Sequence, residues 1–190
     1  MVEAFRLERV NPNPARFDLK KAEAINATHL RALPIEDLTA RMVPYLQGAD
    51  VLPAEVSDEQ RALLERAAPL VHERMTTLAE AVDMLGFLFV DEASFERDPA
   101  DSAKLLDETG RGVAKAAHDA LAEIPTWDTA SIDEALREAL VEGLGLKPRN
   151  AFGPVRVAIT GRRVSPPLFE SLELLGRERS LARLASAQQS

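Results

Sequence analysis

Apolar residues recur at intervals of three and four along most of the chain, and strict apolar–polar alternation is scarce. The first pattern turns one face of a helix inward, whereas the second would mark strands. After a short helical stub, Asn11-Pro12-Asn13-Pro14 predicts a loop, because proline disfavours the α region in the residue before it. A short helix follows over about 19–30. From Pro34, which suits a first helical turn, Ile35, Leu38, Met42, Tyr45 and Leu46 fall on one face. Pro53 closes that unit. Ser57 and Gln60 have the spacing of a capping box, and Leu63, Leu64, Ala67, Leu70 and Val71 face inward behind it.

A further helix is expected over 77–89, then an acidic loop over 91–99. Long helices are expected over about 101–124, ended by Pro125, and 131–145, capped by Ser131 with Glu134. Shorter ones follow over about 151–160, 166–175 and 177–188, with Gly161 and Gly176 as C-terminal caps. The pattern therefore predicts an all-α protein: a small N-terminal piece and two helical lobes joined near residue 105.

Composition narrows the chemistry. The chain has 190 residues, 46% hydrophobic, enough for a core, and no cysteine. Disulfides, thiol nucleophiles and cysteine-bound metals are thereby excluded, and the cytoplasm is the expected compartment. Apolar runs such as Met84 to Val90 are too short to span a bilayer, and the first residues lack a signal-peptide pattern. His29, His72 and His118 show no paired metal-ligand spacing, so no metal site is expected. His72-Glu73 reads as a solvated pair. Gly110-Arg111-Gly112 lacks a preceding strand and a third glycine, so it reads as a helix irregularity rather than a phosphate loop. No catalytic constellation appears.

Charge is unevenly distributed. The formal net charge of −8 argues against a nucleic-acid partner. From Lys147 onward, however, eight basic residues face three acidic ones, a net of +5, against 15 basic and 28 acidic residues before it, a net of −13. Seven of the eight cations are arginine, whose planar fork suits phosphates and base edges. Both an ordinary charged surface and an anionic partner are compatible with this segment.

Three sequence runs carry a family resemblance. These are Arg156-Val157-Ala158-Ile159-Thr160-Gly161, then Ser165-Pro166-Pro167-Leu168-Phe169, then Leu174-Leu175-Gly176-Arg177-Glu178-Arg179. Together they resemble the C-terminal end of bacterial glutamyl-tRNA synthetase. Phe17-Asp18-Leu19-Lys20-Lys21-Ala22-Glu23-Ala24-Ile25-Asn26 resembles the segment that follows that family's catalytic domain. Ala22 and Ala24 stand where the family has Leu and Trp, and Pro167 where glycine is frequent. The family's upstream motifs His-Ile-Gly-His and Lys-Met-Ser-Lys-Ser do not occur here.

The resemblance implies a C-terminal fragment without the catalytic domain: the end of a stem-contact region (1–33) and two helical anticodon-binding lobes (34–106 and 107–190). The parent enzyme charges tRNA(Glu), in some cases tRNA(Gln), with glutamate using ATP and Mg²⁺; the fragment itself would hold no cofactor. It further implies that Arg74 reads the last anticodon base, that Arg156, Ser165, Pro166 and Leu168 form the second base-reading group, and that Arg149, Arg162 and Arg163 lie near the tRNA backbone. A monomer that touches neither DNA nor membrane is expected. The competing expectation is a helical protein-interaction module that never meets RNA.

Overall fold

The computed structural model describes residues 18–189, and among them every regular element is helical. The N-terminal stub and the Asn-Pro loop lie outside the described residues. The elements are α1 (Leu19–Arg31), α2 (Ile35–Gly48), α3 (Asp58–His72), α4 (Glu80–Leu85) with a 3-10 turn at Gly86–Leu88, and α5 (Pro99–Leu105). They continue with α6 (Glu108–Glu123), α7 (Thr129–Leu136) running into a π-helical stretch at Arg137–Gly143, α8 (Pro148–Thr160), α9 (Leu168–Leu175) and α10 (Arg177–Ala187).

The capping box is present: Ser57 accepts from the Gln60 N–H, and the Gln60 side chain accepts from the Ser57 N–H. Several expected helices differ. The 101–124 helix is two elements, because Asp107 begins a new one by accepting from the Gly110 N–H at 2.9 Å. The cap expected at Ser131 is instead Asp128, which accepts from the Ser131 N–H at 2.8 Å. The 77–89 helix starts at Glu80, because its carboxylate turns back to accept from Thr76 and Thr77 and holds those residues outside the helix. Pro34 and Pro167 sit at N-cap positions with extended ψ, one residue before their helices.

Leu38, Met42 and Leu46 of α2 meet Leu64 and Val71 of α3 and Leu85 of α4, all fully buried. In the C-terminal half α6 packs on α8 and α10, and α7 on α9. Val113, Leu121, Ile132, Leu136, Val155, Ile159, Leu172 and Leu184 fill that space. Each such aliphatic side chain stabilises the fold by about 1.5–3 kcal/mol over an exposed one. Contacts of α5 and the 3-10 turn with α8, and of α3 with α9, merge the two halves into one continuous core.

Much of the C-terminal positive charge is spent inside this architecture. Arg183 is 1% exposed and bonds to Glu92 and to the Ile159 carbonyl. Arg179 reaches Glu92 and the Leu88 and Val90 carbonyls. Arg177 donates to the Ala122 carbonyl and lies over the Trp127 ring. Arg162 pairs with Asp83 at 3.0 Å and Arg163 with Asp101 at 3.4 Å. Four of the eight cations, Arg162, Arg163, Arg179 and Arg183, thus meet carboxylates of the acidic segment before them.

Candidate nucleic-acid interface

The turn between α8 and α9 is the meeting point of the expected site residues. Gly161 ends α8 with φ 78°, and a Cβ there would lie 2.7 Å from the Glu96 carbonyl oxygen, so only glycine lets the chain turn this close to the 91–98 loop. The Asp98 N–H donates to the Gly161 carbonyl at 2.8 Å and pins the turn from the other side. Thr160 is buried and its hydroxyl bridges the Arg156 and Arg162 carbonyls.

Arg156 holds the next stretch. Its Nη1 donates to Ser165 Oγ and to the Pro166 carbonyl, each at 2.7 Å. Arg74 arrives from the loop after α3 and donates from Nη1 to the Ser165 carbonyl at 3.3 Å. Residues 91 positions apart in sequence therefore meet on one turn. Burial, and then the neighbouring Arg74, push the Arg156 guanidinium below its ordinary value, with Glu170 opposing them. Among the described residues no carboxylate lies within ion-pair distance of Arg74, Arg156 or Arg149. Two guanidinium groups converging with no directly paired acid, only Glu170 at longer range, give this turn a local positive potential.

The expected residues differ in access. Arg74 and Arg149 are exposed, whereas Ser165 and Leu168 are each 3% exposed and Pro166 is buried. The accessible face of the turn belongs to Val164, 66% exposed, and the half-buried Pro167. Arg162 and Arg163 are exposed but paired with acids, as described above. His72 is not a solvated pair with Glu73: its Nε2 lies 3.0 Å from the Leu30 carbonyl and ties α3 to α1. No group of three His, Asp or Glu side chains able to hold a metal occurs among the described residues.

Sequence reasoning missed a neighbouring feature. A cleft of about 410 Å³ between α5 and α8 is lined by Lys104, Arg149, Arg156 and Arg163, with Leu105 and Phe152 among its apolar walls. Lys104 was not legible as a site residue, since only the packing of α5 on α8 brings it beside Arg149. A partial signal exists: no carboxylate occurs between Glu142 and Glu170, while Lys147, Arg149, Arg156, Arg162 and Arg163 do.

A helical scaffold presenting a cationic turn offers a place for an anionic group, and the family comparison specifies the class of domain. The family described as "Anticodon binding domain" matches residues 37–188, and the chain belongs to it. The chain is 63% identical over 187 residues to the glutamate–tRNA ligase of Nocardioides sp. (strain ATCC BAA-499 / JS614), covering 98% of this chain and 38% of that protein. It is 58% identical over 184 residues to the glutamate–tRNA ligase of Saccharopolyspora erythraea, covering 97% of this chain and 36% of that one. The chain thus spans little more than a third of the relatives it matches. A crystal structure of a glutamate tRNA ligase from Elizabethkingia meningosepticum in complex with its amino acid superposes with a TM-score of 0.73 at 22% identity, covering 98% of this chain and 35% of that one. At that identity the superposition shows the fold. The expected all-α architecture and the resemblance to glutamyl-tRNA synthetases are both borne out.

Proposed function

We propose that this chain recognises the anticodon loop of tRNA(Glu) as a monomeric module of a cytoplasmic glutamate–tRNA ligase, with ATP and Mg²⁺ serving the catalytic part of that ligase elsewhere. The observation that carries this reading is the convergence of Arg74 and Arg156 on the Ser165–Pro166 turn without a carboxylate partner. Single-stranded loop bases are read by hydrogen bonds at their edges and by apolar or planar groups against their faces. Arg74 is the freer of the two: it is exposed and spends one long hydrogen bond on the turn. Its remaining donors are available to a base edge, in a fork that lysine cannot reproduce. Arg156 is committed to holding the turn, with Val164 and Pro167 on its accessible side.

The test is the affinity of the chain for tRNA(Glu) and for a tRNA(Glu) changed at the third anticodon base. A good bidentate contact is worth about 1–3 kcal/mol of discrimination. Arg74→Ala is expected to remove that preference, whereas Arg41→Gln, an exposed change far along α2, is expected to keep it. Arg74→Gln is expected to broaden acceptance toward tRNA(Gln). An unchanged preference in Arg74→Ala would remove Arg74 from the reading role.

A further inference from the structure

Helix α1 lies outside residues 37–188, the stretch matched by the anticodon-binding family, yet it is fastened to the loop that carries Arg74. Among the described residues, every hydrogen bond that α1 makes beyond its own ends goes to residues 72–76. Asn26 Nδ2 donates to the Thr76 carbonyl. Arg31 Nε donates to the Glu73 carbonyl at 3.4 Å and pairs with the Glu73 carboxylate at 3.5 Å. The Leu30 carbonyl meets His72 Nε2 at 3.0 Å. Residues 26, 27, 30 and 31 share one helical face by their spacing, and Ala27 and Leu30 on it are buried. Arg74 therefore stands between two clamped carbonyls, one just before it and one two residues after it. From within the loop, Glu80 accepts from the Thr76 and Thr77 N–H groups, each at 3.2 Å, and Met75 is fully buried. The backbone on both sides of Arg74 is thus held, while its side chain is exposed and spends one long hydrogen bond on the Ser165 carbonyl. A guanidinium so lightly tethered takes its aim from where its Cα stands, and a shift of about 1 Å is enough to spoil a bidentate contact.

We propose that Asn26 is a positioning residue for third-base reading: it holds the Thr76 carbonyl, fixes where the 73–76 loop carries Arg74, and does not itself touch RNA. This role rests on the Arg74 reading above and adds that a helix outside the matched domain sets the aim of the reader.

The test is a double-variant cycle on the 190-residue chain, read as its affinities for tRNA(Glu) and for tRNA(Glu) changed at the third anticodon base. Asn26→Ala is expected to lower the ratio of the two affinities about fivefold, within the range for residues that act through one another. In an Arg74→Ala background the same substitution is expected to leave both affinities unchanged, because no reader is left to aim. Thr28→Ala, whose hydroxyl bonds within α1 to the Ala24 carbonyl at 3.0 Å, is expected to keep the ratio. The urea midpoint of Asn26→Ala is expected to match that of the unmodified chain, since the helix propensity of alanine offsets the loss of one exposed hydrogen bond. A lower ratio at an unchanged midpoint marks positioning and not folding. If Asn26→Ala keeps the ratio, the positioning role is overturned while the Arg74 reading stands. If it weakens binding to both tRNAs equally, with or without Arg74, Asn26 touches the RNA directly and the role is again overturned. If Arg74→Ala alone keeps the ratio, the Arg74 reading and the role of Asn26 fall together.

Discussion

Gly110→Ala is expected to destabilise the fold by at least about 3 kcal/mol, the upper end of what overpacking costs. A Cβ at residue 110 would lie 1.9 Å from the Leu105 carbonyl oxygen and 2.8 Å from its carbon. Those are backbone atoms, so no side-chain rotation relieves the clash. The start of α6 would have to move away from the end of α5, breaking the Asp107 cap on the Gly110 N–H. Gly112, two residues on, has nothing within 4 Å of the same added atom. Gly112→Ala is therefore expected to stabilise the helix by roughly 0.5–1 kcal/mol. Urea denaturation of the two variants gives opposite signs under this account. Equal effects would mean that helix propensity, and not the α5–α6 corner, governs both positions.

The same corner illustrates what could be read from sequence. Short-range devices were legible because both partners lie within one turn: Ser57 with Gln60, and Gly161 at the end of α8. The break at residues 106–107 was not, because Leu106 continues the apolar spacing while Asp107 offers a cap only if the chain has already turned. The 77–89 helix lost its first turn for a similar reason, since Glu80 competes for the Thr76 and Thr77 N–H groups. Family resemblance singled out Arg74 and Arg156 as candidates, but their convergence on one turn spans 91 and 9 residues and follows only from tertiary packing. Local composition also misdirected the charge argument. The cluster of C-terminal arginines reads as an RNA-facing surface, yet Arg183, Arg179 and Arg177 are turned inward onto carbonyls, Glu92 and Trp127. A charge run does not say whether its partner is a ligand or the rest of its own chain.

Arg183 is the point at which that distinction has its largest energetic consequence. Arg183→Ala is expected to cost about 3 kcal/mol, from the buried Ile159 carbonyl left unpaired and the volume emptied beneath Phe95, whereas the exposed Glu92 keeps Arg179. At 1% exposure the guanidinium stands 3.6 Å from the Phe95 ring centroid, bonds to Glu92 through Nε and Nη2, and satisfies the Ile159 carbonyl through Nη1. Its loss leaves a cavity under the 91–98 loop and an unpaired carbonyl at the end of α8, next to the turn that Arg74 and Arg156 share. Arg162→Ala breaks an ion pair between two largely exposed groups, and its expected cost is below about 1 kcal/mol. The acid limb of stability tests the same pair independently. Burial raises the Glu92 carboxyl, but hydrogen bonds from Arg183 and then Arg179 outweigh it and leave the group below its ordinary value of 4.5. A carboxyl depressed in the folded state contributes stability that is present above the unfolded value and lost as pH falls through the folded one. The chain is therefore expected to lose stability below about pH 4.5, and Arg183→Ala, which removes the larger of the two stabilising partners, should lose less over that interval. If the two proteins fall in parallel as the solution is acidified, Glu92 is not the group that fastens the 91–98 loop to α10.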